Sequence, residues 1–196
     1  MTTAVLSNAD HPEFGVVTIP LPIPREQYDH CVSMLEALEI GDASAADCRL
    51  DDLWEAWPVL NCLQGTKVNL DELDYLVKRL DSFDVKEISQ FQAMAEKLNL
   101  TSMKDLINLT FSCQDATVIS DFSELAAVGR DHYMNIHGGC ARTEELEQLD
   151  GEETAILLIE SNEGIITRYG VSTTTACSFH SSMTENICPA ITTRLI

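Results

Sequence analysis

The chain has 196 residues, of which 45% are hydrophobic and 22% are charged, a composition typical of folded globular proteins and not of disordered ones. Its charge is unbalanced, because 32 Asp and Glu residues stand against 12 Lys and Arg residues and give a formal net charge of -20. Sequence-independent nucleic-acid binding needs Lys and Arg to neutralise phosphates. We therefore exclude binding to nucleic acid through a broad basic face. No apolar run reaches the length of a bilayer span, so we expect no membrane anchor.

The first part of the chain predicts a small α/β module. Residues 15–21 are rich in β-branched side chains, and prolines stand at positions 20, 22 and 24, which predicts a short strand at a sheet edge. Apolar residues recur at helical spacing over 24–38, and Gly41 follows as a residue suited to end a helix. A weaker pattern over 46–52 predicts a second strand.

The middle of the chain predicts a series of helices, because capping residues precede apolar stripes. Asn69, Asp84 and Asp121 are each followed three positions later by Glu, which is the pattern of a capping box. Thr101 is expected to cap a shorter helix, and residues 116–120 predict a brief strand. This part is therefore expected to be rich in helix.

The last part predicts an acidic helix over 143–150 and a β-hairpin. Residues 154–160 and 165–171 are apolar runs on either side of a Ser-Asn-Glu-Gly turn, which is typical of two paired strands. Residues 172–196 include ten Ser or Thr residues and show no clear period. We expect them to form a loosely held tail.

Together these patterns predict an α+β protein with short strands, a helix-rich middle and a C-terminal β-hairpin. Four parts are expected along the chain. They are an N-terminal α/β module at 1–66, a helical middle module at 67–140, an acidic helix plus β-hairpin at 141–171, and the tail at 172–196.

The sequence contains no familiar catalytic motif for nucleotide, phosphate or zinc chemistry and no nucleophile elbow. The densest group of potential ligands is His132, His137 and Cys140, whose spacing matches no zinc module. We expect no catalytic residue, no metal and no cofactor, and we do not expect an enzyme. A small metal- or thiol-dependent enzyme centred on 132–140 stays open as the less favoured alternative.

The seven cysteines form no C-x-x-C pair, and the first residues lack the charged and apolar regions of an export signal. An odd number of cysteines without an export signal is typical of reduced, mostly buried thiols. We therefore expect the protein in the cytoplasm.

Acidic side chains are the strongest functional signal. The helix predicted over 70–83 must turn its apolar stripe to the core, so Asp71, Asp74 and Asp81 are expected to face solvent beside Lys78. A second group contains no cation and consists of Glu144, Glu145, Glu147, Asp150, Glu152 and Glu153. A merely solvated surface explains each group taken alone. The total surplus, however, equals the charge on about ten base pairs of duplex, so we predict that these nine residues bind a partner with a basic DNA-binding groove.

Several longer runs carry a family resemblance, namely LDELDYL, FQAMA, LINLTF and VGRDHYMNIHGG. Over about 15–171 the chain resembles the ArdA-like antirestriction proteins of bacterial mobile elements, a group that also includes anti-CRISPR inhibitors of type II RNA-guided nucleases. The resemblance implies an elongated, modular α+β protein that forms homodimers, imitates bent duplex DNA and occupies the DNA groove of a host enzyme.

We therefore expect a non-catalytic inhibitor of a bacterial DNA-targeting defence nuclease. Its partner would be a host restriction-modification enzyme or a type II RNA-guided nuclease in the cytoplasm of the bacterial host, and its acidic, DNA-mimicking surface would block DNA binding or cleavage. An acidic protein-interaction adaptor without DNA mimicry is the alternative.

Overall fold

The computed structural model describes residues 2–161 and 164–174. The strands are β1 (Thr2–Asn8), β2 (Val16–Leu21), β3 (Cys48–Trp54), β4 (Lys67–Val68), β5 (Ala116–Ile119), β6 (Ile165–Thr167) and β7 (Gly170–Thr174). The helices are α1 (Tyr28–Ala37), α2 (Leu70–Asp81), α3 (Val85–Lys97), α4 (Met103–Leu109), α5 (Leu125–Ile136), α6 (Thr143–Gln148) and α7 (Gly151–Ser161). The predicted α+β class, helix-rich middle and C-terminal hairpin are confirmed. Within the described ranges, no helix combines the length and the apolar character that crossing a bilayer requires.

These elements form two compact units. Of the described residues, the first unit contains 2–88 and 99–111, and the second contains 89–98, 112–161 and 164–174. The chain passes from one unit to the other within α3, since its first residues belong to the first unit and the remainder to the second. The division into four modules along the sequence stays a prediction.

The first unit is built on an antiparallel sheet with the strand order β2-β1-β3-β4. The predicted edge strand is confirmed as β2, whereas β1 was not predicted and pairs with both β2 and β3. The register shifts beside Val5 and Leu6, which lie opposite Asp52 and Leu50 respectively. Ala4 and Leu6 of β1 and Ile19 and Leu21 of β2 lie at alternate positions, and all four are fully buried in the core.

Helix α2 begins at a capping residue, as predicted. Asn69 Oδ1 accepts a hydrogen bond from the backbone N–H of Glu72 at 3.0 Å, and the Asn69 side chain also donates to the carbonyl oxygen of Ala45 at 2.8 Å. The buried stripe of α2 consists of Leu70, Leu73, Leu76, Val77 and Leu80. Asn69 thus both caps the helix and attaches the preceding loop to it.

Side-chain caps also begin helices α3 and α4. Asp84 Oδ1 accepts from the Glu87 N–H at 2.8 Å, and Glu87 Oε2 accepts from the Asp84 N–H at 3.0 Å, so the predicted capping box is confirmed. The cap of α4 is Ser102, whose hydroxyl accepts from the Asp105 N–H at 3.2 Å. The prediction that Thr101 caps this helix was therefore wrong by one residue.

The second unit contains a three-stranded antiparallel sheet with the order β5-β7-β6. Its hairpin contacts α3, because the Tyr169 hydroxyl donates to Gln92 Oε1 at 3.1 Å and the Lys97 ammonium group donates to the Ser172 carbonyl at 3.4 Å. Phe91 and Met94 of α3 are fully buried.

The prediction of a strand over 154–160 was wrong, because these residues lie within α7. Asp150 caps this helix, and its apolar run lacks the alternation of a half-buried strand. The C-terminal hairpin is instead made by β6 and β7. Residues 172–174, expected in the tail, belong to β7, and the rest of the predicted tail, 175–196, lies outside the described residues.

Candidate functional site

The candidate site is the segment 143–161, here called the acidic segment. It contains seven acidic residues and no Lys, Arg or His. All seven are exposed, and they are Glu144, Glu145, Glu147, Asp150, Glu152, Glu153 and Glu160. Six were predicted from the sequence, and Glu160 was not. The segment itself therefore supplies no positive charge to offset these acids, and the residue directly before it is Arg142.

Two of these acids also determine where the helices begin. Glu145 Oε2 accepts from the backbone N–H of Arg142 at 3.3 Å, before α6. Asp150 Oδ1 accepts from the N–H groups of Glu152 and Glu153, both at 3.1 Å, at the start of α7. An N-cap contributes about 1 kcal/mol. Replacing Asp150 or Glu145 therefore changes the helices as well as the charge.

The other acids of the segment do not cap a helix with their side chains. Glu152 and Glu153 lie in the first turn of α7, where the partial positive charge of the helix end favours acids. Among the described residues, Glu144 and Glu147 have neither a side-chain hydrogen bond nor an ion pair with a basic residue. The same is true of Glu152, Glu153 and Glu160, so five of the seven acidic side chains are free to meet a partner.

Helix α7 is positioned by close backbone contact with α5. A Cβ atom added to Gly129 would lie 1.8 Å from the carbonyl oxygen of Gly151, and one added to Gly151 would lie 2.2 Å from the carbonyl oxygen of Ala126. Both distances are too short for any side chain, so the two helices meet only because both positions are glycine. Ala155 and Leu158 complete the buried face of α7.

The second predicted group lies on α2, in the first unit. Asp71 and Asp81 are exposed, as expected, with Lys78 exposed beside them. Asp74 is instead partly buried and accepts a hydrogen bond from the Ile23 N–H at 2.7 Å. Burial raises the pKa of Asp74 above its usual value of 3.8. The expectation that Asp74 faces solvent was wrong because the segment after β2 packs over it, a contact that helical periodicity does not reveal.

Outside the acidic segment, several acids have basic neighbours. Lys67 Nζ lies 2.6 Å from Asp10 Oδ1, and its hydrogen bond and positive charge lower the pKa of Asp10. Arg168 Nε lies 3.4 Å from Glu96 Oε2. This contrast makes the acidic segment the stronger candidate for binding a basic partner.

The potential ligands near residue 140 do not form a recognisable site. His137 Nδ1 donates to the Tyr133 carbonyl at 2.8 Å and its ring stacks on Tyr133. Burial lowers the pKa of His132, and Cys140 is exposed. Within residues 2–161 and 164–174, no group of three or more His, Cys, Asp or Glu side chains is arranged to hold a metal.

The other described cysteines are mostly buried. Cys31, Cys48 and Cys113 are buried and Cys62 is half-buried. Burial raises the pKa of the Cys48 thiol to about 12, which disfavours the reactive thiolate.

Besides Glu160, the exposed apolar pair Ile156 and Leu157 on α7 was not predicted to belong to the site. Both residues were predicted to lie in a strand of the hairpin, over 154–160. A usable signal was present, since Asp150 is followed three positions later by Glu153, as in the capping boxes that predicted other helices.

Comparison with known proteins adds no assignment to this site. No protein-family model matches the chain, and no curated protein matches it at a significant level.

Proposed function

We propose that this protein is a non-catalytic inhibitor of a bacterial DNA-targeting defence nuclease, of the antirestriction or anti-CRISPR type, that acts in the host cytoplasm. The observation that carries the proposal is the acidic segment, with seven exposed acids and no cation. Such a surface is complementary to the Lys- and Arg-rich groove with which a nuclease binds phosphates. Occupation of that groove would block DNA binding or cleavage.

The overall charge also supports the proposal. A formal net charge of -20 makes a folded chain repel itself. A partner with a basic groove offsets this repulsion, whereas solubility alone requires a net charge of only about 2 to 8 in magnitude for a small domain. The proposed partners are a host restriction-modification enzyme and a type II RNA-guided nuclease.

The test compares two variants with the same total charge. In the first, Glu144, Glu147, Glu152 and Glu153 are changed to Gln, which leaves the capping residues Glu145 and Asp150 in place. In the control, Glu26, Asp29, Glu36 and Glu39, all exposed acids of the first unit, are changed to Gln or Asn. Each variant is added to a DNA cleavage assay with a purified type I restriction enzyme or a type II RNA-guided nuclease.

We expect the first variant to lose most of its inhibition and the control to keep it, with both variants folded as judged by circular dichroism. Equal inhibition by the parent and the first variant would show that the acidic segment is not the binding surface. Equal loss in both variants would show that total charge, and not this surface, determines inhibition.

A further inference from the structure

The exposed face of α7 is not purely acidic. Ile156 is 45% exposed and Leu157 is 56% exposed, while their neighbours Ala155 and Leu158 are buried on the opposite side. Single exposed apolar residues are common on protein surfaces. These two are adjacent, however, and lie at the centre of the face that also carries acids of the candidate site.

Acidic residues stand on both sides of this apolar pair. Glu152 and Glu153 precede Ile156 and Leu157 by four positions each, and Glu160 follows them by four and three positions. Residues three or four apart on a helix are neighbours, with Cβ atoms about 5 to 6 Å apart. The exposed face of α7 therefore has an apolar centre between two acidic ends.

The apolar centre and acidic ends of this face determine which kind of partner can bind to it. A second copy related by a two-fold axis would place the same surface against itself, and the acidic segment provides no cation to offset the repulsion between the opposing acids. An anionic lipid surface is disfavoured for the same reason. The complementary surface is a protein helix with apolar residues flanked by Lys or Arg, which binds as amphipathic helices bind apolar surfaces.

We infer that the exposed face of α7 binds a basic amphipathic helix of the partner protein. Ile156 and Leu157 contact its apolar side chains, and Glu152, Glu153 and Glu160 face its cations. This inference rests on the proposed function, because it specifies how the acidic segment contacts the nuclease. It also goes beyond imitation of phosphates, since the apolar contact persists at salt concentrations that screen exposed charges.

The experiment uses two synthetic peptides of about 18 residues, or five helical turns. One is an amphipathic peptide of Leu and Lys, and the other has Ser in place of every Leu with the same number of Lys residues. Each is titrated by fluorescence anisotropy against the full chain, against the double variant Ile156→Gln/Leu157→Gln, and against the control Val85→Gln. Val85 suits the control because it lies on a helix and is 84% exposed.

We expect the double variant to bind the Leu/Lys peptide about tenfold more weakly than the parent does, which corresponds to partial burial of two large apolar side chains. Binding of the Ser/Lys peptide should not change, and Val85→Gln should behave as the parent. The inference is overturned if the double variant binds the Leu/Lys peptide as tightly as the parent. It is also overturned if the parent alone sediments as a dimer that the double variant abolishes, since a second copy would then cover this face.

A separate variant distinguishes failure of the inference from failure of the proposed function. Glu152→Gln/Glu153→Gln is expected to weaken binding of both peptides and to reduce nuclease inhibition. If the Ile156→Gln/Leu157→Gln variant binds as the parent does but the Glu variant binds and inhibits more weakly, the inference fails and the proposed function stands. If the Glu variant changes neither peptide binding nor inhibition, the acids of α7 do not contact the partner and the inference fails, whereas the proposed function fails only if the four-residue variant at Glu144, Glu147, Glu152 and Glu153 also inhibits as the parent does.

Discussion

At the scale of single residues, two carboxylates on the same helix have different roles. Asp71 faces solvent, whereas Asp74 accepts a hydrogen bond from the Ile23 N–H. The spacing of residues along α2 does not separate them. What separates them is a tertiary contact with the segment after β2, so the role of Asp74 could not be predicted from the sequence.

The substitution Asp74→Ala leaves the Ile23 N–H without its acceptor in a partly buried position. We expect it to lower the free energy of unfolding by about 1 to 3 kcal/mol. The matched control, Asp71→Ala, should change it by less than about 0.5 kcal/mol. Urea denaturation monitored by circular dichroism measures both, and equal effects would contradict a structural role for Asp74.

Asp74 also predicts a dependence of stability on pH. Because burial raises its pKa above 3.8, the folded state takes up this proton at a higher pH than the unfolded state does. The contribution of this group to the free energy of unfolding therefore rises as the pH falls from the raised pKa to about 3.8, and is constant below that. Asp74→Asn keeps the acceptor but does not titrate, so the parent should gain stability relative to this variant over that window. A constant difference across it would contradict the raised pKa.

The residues near position 140 are expected to be dispensable for inhibition. His137 is engaged with Tyr133, and the described residues include no arrangement of ligands around His132 and Cys140. We expect a variant with His132→Asn, His137→Asn and Cys140→Ser to inhibit as the parent does. The nuclease assay and metal analysis of the purified protein measure this, with thermal denaturation as the control for folding. Loss of inhibition in a folded variant would support the enzyme alternative.

At the scale of elements, local signals predicted the helices better than the strands. Asn69 and Asp84 cap helices whose apolar stripes are continuous, so both helices could be predicted from neighbouring residues alone. Strand β1 depends on pairing with β2 and β3, and pairing across the sheet leaves little trace in seven residues. In α7 the apolar run suggested a strand, although the capping pattern at Asp150 indicated a helix.

Because α5 and α7 are in close contact, we expect one Gly-to-Ala substitution in α5 to destabilise the protein, although helix propensity alone would predict stabilisation. Alanine normally stabilises a helix relative to glycine by about 1 kcal/mol. At Gly129, however, the added Cβ would collide with the Gly151 carbonyl oxygen. We expect Gly129→Ala to lower the free energy of unfolding by about 1 to 3 kcal/mol, and Asn135→Ala, at an exposed position of α5, to change it little. A Gly129→Ala protein as stable as the parent would contradict the close contact between the two helices.

At the scale of the whole molecule, the net negative charge is the feature on which the proposed function depends most. The net charge was fully predictable because it depends only on composition. Which acids lack a basic neighbour was not predictable. The pair formed by Lys67 and Asp10 joins residues 57 positions apart. The acidic segment could be predicted because its acids lie close together in the sequence and no Lys or Arg stands between them.

Salt is therefore expected to act in opposite directions on stability and on binding. Screening reduces the self-repulsion of a chain with a net charge of -20, so the free energy of unfolding should rise between about 0.02 and 0.3 M NaCl. Over the same range the affinity for the nuclease should fall at least tenfold. Urea denaturation and a binding titration measure the two effects, and an affinity independent of salt would indicate a conventional apolar interface.

The most direct test of DNA mimicry is competition with DNA for the nuclease. A purified target nuclease is loaded with fluorescently labelled duplex DNA, in the presence of its guide RNA where it requires one, and the protein is titrated in while anisotropy reports bound DNA. We predict that the protein displaces the DNA and that the concentration needed for half-displacement rises in proportion to the DNA concentration. Stable binding of the protein to a nuclease that still holds its DNA would contradict the account.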